Sequence, residues 1–236
     1  MPLSQYPYLA VSVILLGLFA LCCLAATDRR AAFLSGLLCA PWGCTAGLYM
    51  PDYWNPVRIT SAPIGVEDLL FPLANGGIAW FLATWPIRKR MRLHIEFSRV
   101  IKVLGGWGIV GLAIGAVSDR VFGLSVMAAT LAAILIVGLT IVILNPEYWP
   151  IAVTGGCAFA ILYFGIMFMS FRLWPGFLEQ WNLPKLWGLA IDGVPLEEIA
   201  WAGAFGSVWP LVTAQAFDLR IASRSPDGRE NKLDAC

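Results

Sequence analysis

Long apolar stretches divide the chain into seven runs, at about 8–26, 31–50, 66–85, 100–117, 122–144, 149–171 and 195–216. Each is close to the roughly 20 residues that a helix needs to cross the hydrocarbon of a bilayer. Charge, proline or glycine marks every break: TDRR, MPDYWNP, PIRKRMRLHIEFSR, SDR, NPEYWP and FRLWPGFLEQWNLPKLWGLAIDG. The pattern predicts an all-α, polytopic membrane protein with seven transmembrane helices. The opening MPLSQYPYLA has no basic segment, so the first run is expected to be a retained helix and not a cleaved signal.

Composition agrees with a lipid solvent. Of 236 residues, 59% are hydrophobic and only 13% charged, against about a quarter charged in a soluble domain. The net charge of +1 gives no reason to expect a nucleic-acid partner. The distribution of Lys and Arg says more. Arg29, Arg30, Arg88, Lys89, Arg90, Arg92, Arg99, Lys102, Arg220, Arg224, Arg229 and Lys232 fall on one side of a seven-span chain. The other side receives Arg58, Arg120, Arg172 and Lys185. Cytoplasmic loops carry the excess of basic residues, which predicts an outer N-terminus and a cytoplasmic C-terminus in a cytoplasmic or inner membrane. Anionic lipid is a second use for the basic tract. The polar tail at 223–236 is expected to be disordered.

The six cysteines, Cys22, Cys23, Cys39, Cys44, Cys157 and Cys236, form no C-x-x-C and read as small packing residues. Cys39 and Cys44 are near enough in sequence to meet on adjacent turns. Cys236 lacks the three following residues of a prenylation box.

Two segments resemble each other. YWNPVRITSAPIGVEDLLF at 53–71 and QWNLPKLWGLAIDGVPLEEIAW at 180–201 both contain Trp-Asn, a proline, a basic residue and an acidic cluster. The clusters Gly65-Val66-Glu67-Asp68 and Pro195-Leu196-Glu197-Glu198 each open the third run of a three-run set. The expected organisation is a first repeat at 1–90, a linking helix at 91–121 and a second repeat at 122–222. One linking helix gives both sets the same orientation, a parallel repeat about an axis along the membrane normal. Both acid pairs then lie at one depth, near the outer interface.

Acids in a first helical turn stabilise the positive end of the helix dipole, and Pro195 suits a helix start. Two acids per copy exceed what capping requires, and ionisable residues beside a span are functional candidates by default. Helical spacing sets Glu67 on the face of Phe71 and Glu197 on the face of Trp201, with Asp68 and Glu198 about a quarter-turn away. A carboxylic acid in a low-dielectric pocket can stay protonated and donate its proton. An aromatic face can shelter the resulting cation, and an adjacent carboxylate can act as base. Such a set suits carbocation chemistry on an apolar alkene. Trp80, Trp201 and Trp209 lie deep enough to line a polyene site, whereas Trp54, Trp149, Trp174, Trp181 and Trp187 read as interfacial belt residues.

Other chemistries lack their motifs. The chain has no G-x-G-x-x-G within a βαβ unit, so no cofactor is expected. Its one histidine, His94, lies in the basic loop, and no metal is expected. The seventh run carries no lysine for a retinal Schiff base, and the chain has no repeated Asp-x-x-x-Asp for a magnesium diphosphate.

GVPLEEIAW and PIGVEDLLF, each opening the third helix of a unit, resemble the membrane-integral, flavin-free lycopene cyclase family in its fused form. Pro195-Leu196-Glu197-Glu198 matches that family's Pro-aliphatic-Glu-Glu motif, while Gly65 stands where the family has proline. The resemblance implies redox-neutral cyclisation of the linear ψ end of lycopene, or a related carotenoid, to a β-ionone ring. It implies Glu197 as donor, Glu198 as partner or base, and Glu67 and Asp68 as the counterpart set. Trp201, Phe71, Trp80, Trp209 and Pro195 are the expected substrate-binding residues. Membrane lipid is the expected surrounding, and self-association or contact with other carotenoid-pathway enzymes stays open. A non-catalytic carotenoid-binding or scaffold subunit and an end-group hydratase are the alternatives.

Overall fold

The computed structural model describes residues 5–222; the tail at 223–236, expected to be disordered, lies outside the described residues. Seven α-helices make up the bundle among these residues: α1 (Pro7–Ala25), α2 (Arg29–Cys39), α3 (Val66–Thr84), α4 (Phe97–Phe122), α5 (Val126–Leu144), α6 (Trp149–Leu173) and α7 (Leu196–Ala216). Their ends follow local chemistry. The Asp28 side chain caps α2 by accepting from the Ala31 N–H at 2.9 Å. Gly123, at φ 63°, ends α4 in the left-handed region that glycine enters without penalty. The second run, expected as one helix over 31–50, changes hand-hold at Pro41. Proline has no N–H for the α ladder, and the chain tightens into a 3₁₀ segment over Ala40–Leu48.

Five helical stretches are long and apolar enough to cross a membrane: Pro7–Ala25, Arg29–Leu48, Phe97–Phe122, Val126–Leu144 and Pro146–Leu173. The two helices outside this set, α3 and α7, carry the four acids and sit inside the bundle. Helix α3 packs on α1, α2 and the 3₁₀ segment, α7 packs on α4, α5 and α6, and α3 also meets α6 and α7. Glycine permits the closest approaches. A methyl at Gly43 would overlap the Asp68 carbonyl, and one at Gly155 would overlap the Gly206 carbonyl. Small residues thus bring α3 and α7 into backbone contact with their neighbours, as in membrane helix packing generally.

Short pairings tie the two halves at both ends. Trp54 and Trp181 form an antiparallel bridge. Asn55 N–H donates to the Gln180 carbonyl at 2.6 Å, and Asn182 N–H donates to the Tyr53 carbonyl at 2.9 Å. These are the Tyr-Trp-Asn and Gln-Trp-Asn triplets of the two similar segments. At the other end β1 (Met91–Arg92) pairs antiparallel with β4 (Arg220–Ile221), Met91 opposite Ile221. The first tie precedes α3 and α7 and the second follows them, so the two helices run in the same direction.

A hairpin of β2 (Ala190–Ile191) and β3 (Val194–Pro195) leads directly into α7. Its two-residue turn is Asp192-Gly193, both at positive φ, 49° and 86°; such turns match the twist of the strands. Pro195, expected at an early helical position in the substrate wall, is instead the extended residue before the helix, at ψ 138°. Cys39 and Cys44 are both free thiols, and Cys39 is buried.

Candidate active site

A cavity of about 980 Å³ opens between the 3₁₀ segment, α4, α5 and α7. Along α7 it follows one face, touching Glu197, Glu198, Trp201, Phe205, Val208, Trp209 and Val212. That face extends about 22 Å at 1.5 Å per helical residue. Aromatic rings form a continuous stretch of its wall. The Trp201 and Phe205 rings stack at 5.1 Å, Phe205 and Trp209 at 6.3 Å, and Phe71 of α3 lies over Trp201 at 6.2 Å. On the opposite side, Gly111 and Gly115 of α4 face open space. The void suits a long, thin, apolar molecule better than a compact one.

All four acids are buried: Glu67 at 0%, Asp68 at 1%, Glu197 at 1% and Glu198 at 5% exposure. Their partners differ. Glu198 accepts on both oxygens. Tyr53 Oη donates to Oε1 at 2.6 Å, Trp181 Nε1 to Oε1 at 2.9 Å, and Tyr163 Oη to Oε2 at 2.8 Å. Burial, and then the Glu198 charge, push the Tyr53 phenol well above its ordinary range, so it remains a donor. Glu197 Oε1 accepts from the Trp187 backbone N–H, while its Oε2 is buried without a protein partner. Among the described residues no Lys or Arg is bonded to either acid of this pair.

The first pair is arranged otherwise. Asp68 Oδ2 accepts from Arg58 Nη1 at 2.8 Å and from the Gly65 N–H at 2.7 Å. Glu67 Oε1 accepts from the Ile59 N–H at 3.0 Å, and its Oε2 is buried without a partner. Asp68 reaches the cavity wall; Glu67 does not.

Placement of the expected aromatic wall is mixed. Phe71, Trp201 and Trp209 line the cavity, and Trp209 Nε1 also donates to Ser35 Oγ at 3.0 Å. Trp80, expected beside them, lies off the cavity, in the core at the other end of the bundle against Phe217 at 5.5 Å. Its position on α3 places the indole one helix turn before Thr84, far from the acid end. Pro195 is likewise off the cavity. Four neighbours of the acids carried no role in the sequence. Trp181 read as a belt residue, Arg58 as a topology signal, Tyr53 only as part of a repeated triplet, and Tyr163 as one more residue of an apolar run. A phenol in the middle of that run was the available signal, since a buried hydroxyl needs a partner.

The chain matches no family model, and comparisons with curated proteins and with solved structures find no significant match.

Proposed function

We propose that this protein is a carotenoid cyclase that closes the linear ψ end of lycopene, or a closely related polyene, into a β-ionone ring. One observation carries the reading: a buried carboxylate pair, unpaired with any cation, stands at one end of a long aromatic-walled cavity. The similarity of GVPLEEIAW to the flavin-free cyclases points to the same chemistry. In this reading all seven helices span the bilayer, including α3 and α7. The segments 1–90 and 122–222 are parallel repeats joined through 91–121, with the N-terminus outside and the C-terminus cytoplasmic.

The reaction needs one proton in and one proton out. Glu197 donates from Oε2, the oxygen with no protein partner, to the CH carbon of the terminal dimethyl-substituted double bond. This leaves a tertiary cation. The next substituted double bond along the polyene attacks it, a ring carbon–carbon bond forms, and the charge moves to the methyl-bearing ring carbon. Glu198 removes a proton from the adjacent ring carbon that carries the polyene, and the ring double bond forms. No electrons are exchanged, so the balance calls for no reductant. The cation forms beside the Trp201 and Phe71 rings, which line the cavity, and the ring quadrupoles stabilise positive charge. The long apolar remainder of the substrate lies along α7 and supplies binding energy that orients the reacting end.

Membranes containing the protein, incubated with lycopene, should yield cyclised carotenoid without added flavin or nicotinamide. Pigment separation with absorption and mass reads the result. A product heavier by one water identifies a hydratase, in which water captures the cation. Recovery of bound but unchanged lycopene identifies a carotenoid-binding subunit, and either result overturns the cyclase reading.

A further inference from the structure

We infer that Tyr53, Tyr163 and Trp181 are positioning residues that aim the Glu198 carboxylate at one C–H of the cyclised cation and so decide which ring isomer is released. The inference rests on the cyclase reading. Its geometric basis is the way Glu198 is held. Three donors reach it from three separate elements: Tyr53 from the connection before α3, Tyr163 from α6, and Trp181 from the connection before α7. They engage both oxygens, which fixes the rotation of the carboxylate plane as well as its position. Two of the three are fixed in turn by the Trp54–Trp181 bridge and its paired backbone bonds. The hydroxyls and the indole N–H are all neutral, so they orient the acid without cancelling its charge. Glu197, one residue away on the same helix, does not share these donors.

The cyclised cation makes that orientation consequential. Its charge sits on a ring carbon with three neighbours that can lose a proton: the ring CH bearing the polyene, the ring CH₂ and the methyl group. Loss from the first gives the conjugated β ring. Loss from the second gives the ε ring and loss from the third the exocyclic γ ring, both with the new double bond outside the conjugated system. The three C–H groups lie around one carbon, so a small rotation of the base changes which is in reach. Proton transfer requires the base within hydrogen-bonding reach of the proton it takes. A carboxylate held on both oxygens favours one outcome, and one held on a single oxygen does not.

The experiment compares Tyr53→Phe, Tyr163→Phe and Trp181→Phe with the parent in lycopene-containing membranes. Tyr148→Phe serves as control, because Tyr148 is also a buried phenol but donates to the Leu219 carbonyl at the opposite end of the bundle. Each variant is scaled to inserted protein. The parent and the control should give one ring type. Removing one donor to a charged group should slow turnover roughly ten- to a hundredfold and raise ring isomers other than β at least severalfold. The isomers absorb at shorter wavelength, because their ring double bond is not conjugated. A slower rate alone is what a merely structural role would give. Parent-like ring composition in all three variants overturns the inference and leaves the cyclase reading standing. A parent that yields no cyclised product overturns both.

Discussion

Glu67 and Glu197 take equivalent parts in their two connections, each accepting a backbone N–H, from Ile59 and from Trp187. Their neighbours do not. Asp68 faces Arg58, four residues after Trp54; the residue four after Trp181 is Lys185, which turns outward to Asp52. One segment therefore directs its cation into the acid pair, and the other pairs its cation with the exposed Asp52. The shorter Asp68 side chain bonds the Gly65 N–H at its own helix start and interacts with the Tyr8 phenol of α1. Glu198, longer by one methylene, accepts from two phenols, Tyr53 and Tyr163, and from no cation. Two segments of similar sequence have come to hold acids in different ways. In the proposed cyclase, the first pair fastens a connection and the second does the chemistry.

The largest test of that contrast is activity. Glu197→Gln and Glu198→Gln should each lower product per inserted molecule by about 10²–10⁴-fold, the usual worth of a general acid or base, and at the upper end for the initiating acid. Glu67→Gln should leave turnover within a few-fold of the parent, because its amide oxygen can still accept from Ile59 and it does not reach the cavity. Equal losses in Glu67→Gln and Glu197→Gln, with insertion intact, would remove the distinction between the two acid pairs.

Stability should show the reverse order. Asp68→Asn leaves the mostly buried Arg58, 17% exposed at its side chain, facing a neutral group. Breaking a buried pair by removing one partner commonly costs about 3–5 kcal/mol, and the partial exposure of Arg58 brings the expectation to the lower end. Unfolding in detergent reads the effect. The double variant Arg58→Met with Asp68→Asn should recover much of it, since the stranded charge is gone. A double variant as unstable as the sum of the singles would place the cost in the helix start and not in the ion pair.

Trp80→Phe sharpens the comparison from another direction. Trp80 belongs to the core near the basic end and touches Phe217. The smaller ring should cost about 1–2 kcal/mol of stability and leave product per folded molecule unchanged. A selective loss of turnover would mean that the cavity acts on more of α3 than its lining implies.

The helices and the acids were legible because they rest on local signals. Seven apolar runs correspond to the seven helices, five of whose stretches are long and apolar enough to cross a membrane. The acidic openings stood out against uncharged surroundings. What was not legible depended on distant residues. Helical spacing puts Trp80 and Trp209 about equally far from their acids, but could not tell that Trp80 turns to Phe217 while Trp209 turns to the cavity. Nothing near Tyr163 in sequence marks it as a partner of Glu198, 35 positions later. The Asp-Gly turn before α7 was legible in principle, since Asp-Gly between apolar residues is a hairpin signal, but the segment holding it was read as a connection and a repeat, not for its turns.

The smallest expected effect concerns Lys185. Its bridge to Asp52 is exposed on both sides, 57% and 68% at the side chains. Exposed pairs of this kind are worth about 0–1 kcal/mol, because water already solvates both charges and ordering two long side chains opposes the gain. Asp52→Asn should therefore change the unfolding midpoint by little, in contrast to Asp68→Asn at the equivalent cation of the other copy. Both Asp52 and Lys185 also line the cavity that holds Glu197 and Glu198. Releasing Lys185 gives its ammonium the freedom to approach that pair, as Arg58 approaches Asp68. The prediction is a modest fall in turnover, a few-fold at most, that salt relieves by screening the freed charge. Lys185→Gln in the same background should restore the parent rate. If Asp52→Asn destabilises the protein as much as Asp68→Asn does, the two cations are held alike, and the contrast between a fastening pair and a reacting pair fails at its simplest point.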